Sequence, residues 1–190
     1  MKILIICGSI AKKSHTRGML TYIRDILKNK GVEVVFWDLF AKPLPIAIPE
    51  FHKNPSKNPN EEVRMFVNEV ISADGFVLGS PLYHGSYSGV LKNALDNLHY
   101  DAFRNKPVAL ISNSSSIRNC AHPCEHLRLV LRALYGYVLQ SQIGTCNEDY
   151  QETKEEYILI NKEVQERTFK LIQELVDFAT LLKKNAINKN

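Results

Sequence analysis

The sequence predicts an α/β protein in three layers, with helices on both faces of a five-stranded parallel sheet ordered 2-1-3-4-5. Two observations carry this. Strand-like and helix-like segments alternate βαβαβαβαβα along the chain, and parallel strands need right-handed helical crossovers that cover both faces of a sheet. The length of 190 residues, with 45% hydrophobic and 23% charged content, suits one domain with one sizeable core. The expected domain spans residues 1–183, followed by a polar tail over 184–190.

Residues 2–7 are an apolar run that reads as a buried first strand, too short for a signal-peptide core or a membrane span. Thr16 to Lys30 is a helical stretch with Met19, Leu20, Ile23, Ile26 and Leu27 on one face, stopped by Gly31. Val32 to Trp37 is rich in β-branched residues and reads as the second strand. Residues 39–60 hold five prolines, a density that excludes regular structure, so Leu44 to Asn58 is a candidate flap.

Glu61 to Ala73 is the second helix, Gly75 to Gly79 the third strand and Tyr87 to Leu98 the third helix. Pro107 to Ser112 follows as strand, Cys120 to Tyr135 as helix and Tyr137 to Ile143 as the fifth strand. Thr153 to Leu182 is expected to be one long terminal helix.

In this strand order the connections reverse between strands one and three, so a ligand should meet the loops that follow them. The first loop, Gly8 to Arg17, offers the hydroxyls of Ser9, Ser14 and Thr16, the guanidinium of Arg17 and the open amides of a helix start. Ser14 or Thr16 could instead serve only as a helix cap, although Arg17 and the switch-point location favour the anion site. The loop lacks both G-x-x-x-x-G-K-[ST] and G-x-G-x-x-G, which disfavours a nucleoside triphosphate or a dinucleotide held in the Rossmann manner. A single terminal phosphate on a mononucleotide fits better. The second loop, Gly79-Ser80-Pro81-Leu82-Tyr83-His84-Gly85-Ser86-Tyr87-Ser88-Gly89, combines close backbone approach, hydroxyls and an aromatic wall suited to a flat, polar-edged ring.

The net charge of +4 comes from basic residues spread along the chain, which is not a nucleic-acid footprint. The four cysteines, Cys7, Cys120, Cys124 and Cys146, form no C-x-x-C pair, which points to a reducing cytoplasm and to no metal site.

Gly8-Ser9 with Ser14-x-Thr16-Arg17, followed by Gly79-Ser80-Pro81-x-Tyr83 and Ser88-Gly89-x-Leu91-Lys92-Asn93, resembles the NAD(P)H-dependent FMN reductase family over residues 1 to about 180. The resemblance implies a flavodoxin-like fold, bound FMN, and NADPH or NADH as hydride donor to flavin N5. Electrons would then pass to a flavin, quinone, azo compound or other small acceptor in a ping-pong scheme. It implies that Ser9, Ser14, Thr16 and Arg17 hold the phosphate, while Pro81, Leu82, Tyr83, His84 and Gly85 line the ribityl chain and ring edge through backbone amides. In the family the third loop carries glycines. Here it reads Ser112-Asn113-Ser114-Ser115-Ser116-Ile117-Arg118, so Ser112, Asn113, Ser114 and Ser115 are candidate ring contacts and Arg118 either offsets charge on a reduced ring or is simply solvated. Tyr83 and His84 are candidates for proton transfer or for packing against the cofactor, which itself carries the chemistry. A homodimer or homotetramer is implied. The alternative is a flavodoxin-like electron carrier without pyridine-nucleotide activity, against which the basic charge and the form of the first loop count.

Overall fold

The computed structural model describes residues 1–187. Strand β1 (Lys2–Cys7) lies in the centre of a parallel sheet between β2 (Glu33–Asp38) and β3 (Gly75–Pro81), and β4 (Pro107–Ser114) follows β3. The order is 2-1-3-4-5, as the alternation predicts. Strand residues point alternately to the two faces. Ile3, Ile5 and Cys7 pack with Met19, Leu20 and Ile23 of α1 (His15–Asn29) and with Leu171 and Leu175 of α5 (Lys162–Ile187). Leu4 and Ile6 face the other way, onto Val63, Phe66 and Val70 of α2 (Glu61–Ser72) and Leu91 and Leu95 of α3 (Gly89–Asp96). Leu127 and Leu131 of α4 (His122–Ala133) complete that second layer.

Three expectations need correction. The fifth strand is split: β5 (Tyr137–Val138) and β6 (Ile143–Cys146) both pair with β4. In the gap, Arg128 of α4 donates to the carbonyls of Leu139 and Gln140, both at 2.9 Å, and to Gln142 Oε1. The side chain thus satisfies backbone groups that leave the ladder.

Second, Thr153 to Asn161 is not helical. Tyr150–Glu152 (β7) and Tyr157–Leu159 (β8) form an antiparallel hairpin, closed by hydrogen bonds in both directions between Thr153 and Glu156. The Thr-Lys-Glu-Glu stretch has helical composition, but Thr153 folds back onto the chain through its own hydroxyl. Asn161 starts α5, its Oδ1 accepting from the amides of Glu163 and Val164. The helix runs on to Ile187, so most of the expected polar tail is helical and its last three residues lie outside those described.

Third, the proline-rich flap is pinned. Asn93 Oδ1 accepts from the amide of Ala47 at 2.9 Å, and Asn93 and Asn97 donate through Nδ2 to the carbonyl of Pro45. Two 3-10 turns, Pro49–Phe51 and Pro55–Lys57, shape the remainder.

Candidate functional site

Strand β1 ends at Cys7 and is followed by Gly8, whose amide donates to the carbonyl of Gly79 at 2.8 Å. A Cβ on Gly8 would stand 2.9 Å from Leu91 Cβ and 3.0 Å from that carbonyl, so only glycine lets the first and second loops diverge from so close an approach. Ser9 is almost fully buried. Ser14 caps α1, its Oγ accepting from the amide of Arg17 at 3.2 Å. Among the described residues the amides of His15 and Thr16 have no protein acceptor. These are the open donors that a helix start presents to an anion.

Arg17 departs from expectation. Its guanidinium faces Asp38 at the end of β2, with Nε 2.6 Å from Oδ2 and Nη2 3.1 Å from Oδ1. The remaining N–H groups reach the carbonyls of Ala11, Lys12 and Ser9. All five donors are thus committed within the chain, and Arg17 does not line the cleft described below. It holds the first loop in shape from behind rather than offering its fork to a phosphate.

In the second loop Tyr83 and Ser86 exchange backbone hydrogen bonds around a turn in which His84 (φ 48°) and Gly85 (φ 85°) are both left-handed. Such two-residue turns need positive φ at both central positions. The turn carries His84 and Gly85 to an exposed tip, away from the cleft, and corrects their expected place along it. The amide of Leu82 donates to the carbonyl of Asn113 at 2.8 Å, which ties the second loop to the third. The amides of Leu82 and Tyr83 are therefore occupied, and Pro81, Leu82 and the half-exposed Tyr83 ring form the wall. Behind it, Ser88 caps α3, donates through Oγ to the carbonyl of Gly8 at 2.6 Å and donates its amide to Ser80 Oγ.

The third loop divides. Asn113, Ser114 and Ser115 line the cleft, whereas Ser112 turns inward, donating to the carbonyl of Cys120 and accepting from the Cys124 thiol at 3.2 Å. Alternation along β4 sends neighbouring side chains to opposite faces. Arg118 sits on an exposed 3-10 turn and does not line the cleft.

The three loops enclose a cleft of about 280 Å³ at the carboxyl ends of β1, β3 and β4. Ser9, Ser14, Thr16, Pro81, Leu82, Tyr83, Asn113, Ser114 and Ser115 meet there. A second hollow of about 400 Å³ lies between Lys53–Ser56, the end of α2 and the 98–106 segment. It shares no lining residue with the cleft, and two of its basic side chains are engaged: Lys106 donates to the carbonyls of Val70 and Ile71, and Arg104 stacks on Tyr135. The flap segment thus borders this hollow rather than the cleft.

The cleft also holds residues that the sequence reading passed over. Ala11, Lys13 and His15 line it. The His15 ring stacks on Tyr157 at 3.6 Å and meets Tyr150 edge-on, and Lys13 bonds Glu152 at 2.6 Å and the carbonyl of Thr153. The β7–β8 hairpin therefore braces the first loop, a link no local pattern announces. Beneath the floor, buried Thr145 spends its single proton on the carbonyl of Ser112 at 3.0 Å, so Asn113 Nδ2 (3.2 Å) and Tyr150 OH (2.8 Å) must both donate to it. Burial pushes the Tyr150 phenol far above its usual range, keeping it a donor. Asn113 is thereby oriented with Nδ2 inward and Oδ1 left as an acceptor.

Such a site, an anion-binding helix start opposite an aromatic wall at the switch point of a 2-1-3-4-5 sheet, defines a mononucleotide-binding protein of flavodoxin-like fold. The profile of the NADPH-dependent FMN reductase family matches residues 1–150, and the chain belongs to that family of oxidoreductases. It is 38% identical over 179 residues to an FMN-dependent NADPH-azoreductase of Staphylococcus saprophyticus, covering 94% of this chain and 95% of that one. An enzyme of the same name from Staphylococcus aureus is 37% identical over 180 residues, with the same coverage. Among solved structures, the flavoenzyme NAD(P)H:(acceptor) oxidoreductase FerB of Paracoccus denitrificans superimposes with a TM-score of 0.75 at 18% identity, covering 94% of this chain and 97% of that one. An NADH:FMN oxidoreductase in its apo form gives 0.66 at 19% identity, covering 94% and 88%. These structural likenesses establish the fold.

The residues present fit FMN. Hydroxyls and two open amides at the helix start suit a phosphate, the Tyr83 wall suits a flat ring, and the oriented Asn113 Oδ1 suits an N–H on that ring's edge.

Proposed function

We propose that residues 1–183 form a single FMN-binding domain that takes hydride from NADPH or NADH and reduces a small planar acceptor, an azo compound or a quinone. The observation that carries this reading is the convergence of the three switch-point loops on one cleft. Ser9, Ser14 and Thr16, with the amides of His15 and Thr16, hold the phosphate, and Arg17 fixes their loop. Pro81, Leu82 and Tyr83 form the wall for the ring. Asn113 Oδ1 accepts from the ring edge, with Ser114 and Ser115 beside it. FMN, when bound, supplies the hydride acceptance and delivery. The chain's task is to position the ring and leave one face open to donor and acceptor in turn, for which no acid–base side chain is required. Tyr83 is a packing surface in this scheme, and His84, at the exposed turn, is not part of it.

The relatives named above act on azo compounds by name, which favours that acceptor class. We assign the protein to the cytoplasm, in keeping with its four free, buried cysteines, and to a homodimer or homotetramer. No helix among the described residues is long and apolar enough to cross a membrane.

The test is spectroscopic. Purified protein reconstituted with FMN should show flavin absorption that bleaches on anaerobic addition of NADPH or NADH and returns when an azo dye or quinone is added, with loss of the dye's colour. Protein that takes up no flavin, or flavin that stays oxidised with both nucleotides, overturns the reading.

A further inference from the structure

His15 sits at the first position of α1 and lines the cleft. Its ring is clamped on the protein side, stacked on Tyr157 and edge-on to Tyr150, and among the described residues neither ring nitrogen has a hydrogen-bond partner. It lies between Ser14, which caps the helix, and Thr16, in the turn whose amides are open. A clamped imidazole with free nitrogens beside an anion-binding helix start is placed to act on the anion.

We propose that His15 is a proton-linked ligand of the FMN phosphate: it receives the phosphate as an imidazolium and so makes the site choose FMN over riboflavin. The proposal rests on the reading of the cleft as an FMN site.

The charges around the ring set the direction of the linkage. From its own loop Lys13 faces it, but the Lys13 ammonium is held by Glu152 and the carbonyl of Thr153 and lies over the same Tyr157 ring, 5.2 Å from its centroid. From the hairpin come Glu152, Tyr150 and Tyr157, and two residues further along α1 lies Arg17, turned away to Asp38. Burial against the tyrosines lowers the His15 pKa below 6.5, more than Glu152 raises it, and the positive end of the helix acts in the same direction. The free protein therefore holds a neutral ring at neutral pH. A phosphate carrying nearly two negative charges reverses the balance by favouring the imidazolium. Binding then takes up a proton, and by linkage the affinity must fall as pH rises through the imidazolium's pKa in the complex, by about tenfold for each unit that the phosphate raises it. Riboflavin, which has no phosphate, gains nothing from the ring.

The experiment titrates apoprotein with FMN and with riboflavin by flavin fluorescence between about pH 6.5 and 8.5, above the phosphate's second ionisation. Wild type, His15→Asn and His15→Gln are compared, and folding is checked by circular dichroism. Wild-type FMN affinity should fall about tenfold across the range, while both variants give weaker and flat profiles, and riboflavin binding should be weak and flat throughout. Calorimetry of FMN binding to wild type at about pH 7.5, in two buffers of different ionisation heat, should show net proton uptake. This measurement needs no variant and decides the matter if both variants misfold. A wild-type profile without slope, variants that keep the slope, or absence of proton uptake overturns the role of His15 while leaving the FMN reading intact. Wild type that binds no FMN at any pH overturns both.

Discussion

Arg17 and Asp38 form a two-point ion pair across the ends of α1's first turn and β2, with contacts of 2.6 Å and 3.1 Å. Because the other donors of Arg17 hold three carbonyls of the first loop, the pair fixes the backbone on which the phosphate donors ride. Arg17→Lys keeps the charge but cannot reproduce the fork. It should therefore impair FMN binding nearly as much as Arg17→Gln, by about tenfold or more, with roughly 1–3 kcal/mol lost in urea unfolding. An Arg17→Lys protein with wild-type FMN affinity would show that charge alone matters there.

Gly18 permits the hairpin to lie against α1. A Cβ at this position would stand 2.1 Å from the carbonyl oxygen of Tyr157. Gly18→Ala ordinarily favours a helix by about 1 kcal/mol, yet here it should lower stability by about 1–3 kcal/mol, as overpacking does. Thermal melting gives the sign directly: a higher midpoint would mean that the hairpin moves aside without penalty.

Thr145 satisfies three partners under the cleft floor. Thr145→Val keeps the shape but leaves Asn113, Tyr150 and the Ser112 carbonyl short of a bond, for an expected loss of about 1–3 kcal/mol. It also frees Asn113 to flip, so FMN affinity should fall as well. Thr145→Ser, which restores the hydroxyl, should recover most of both.

Asp74 ties the sheet to the last helix, accepting at Oδ2 from the amide of Lys2 and from Lys183 Nζ, each at 2.8 Å. Burial acts to raise its pKa, but the bonds from Lys183 and Lys2 together outweigh it and hold the carboxyl below its ordinary value. A carboxylate depressed in the folded state stabilises fully above its unfolded pKa, and that contribution is lost as pH falls through the folded one. Urea unfolding at about pH 6 and pH 3 should therefore differ less for Asp74→Asn than for wild type. An unchanged difference would mean that other carboxylates dominate acid unfolding.

The sheet, its order and the two principal loops were legible because the helices show clean apolar faces and the central strands β1, β3 and β4 are almost entirely buried runs. The hairpin was not. Lys154, Glu155 and Glu156 favour a helix locally, and what overrides them is the bracing of Tyr157 and Glu152 against His15 and Lys13 from the far end of the chain. Asn161, a good cap just before α5, was the signal that could have placed the helix start correctly. That Ser9, Ser14 and Thr16 would line a cleft was readable from their loop, whereas the inward turn of Ser112 and the saturation of Arg17 depend on Cys120, Cys124 and Asp38, which no local window connects.

The commitment of every Arg17 donor also bears on how a ligand arrives. A first loop already held at three carbonyls and capped at Ser14 has little backbone freedom left to surrender. Association with such a preorganised loop avoids the ordering penalty that weakens many phosphate sites. Amide hydrogen exchange at Arg17, whose amide is already bonded to Ser14 Oγ, should consequently be nearly unchanged by flavin, whereas the open amides of His15 and Thr16 should become protected once the phosphate is bound.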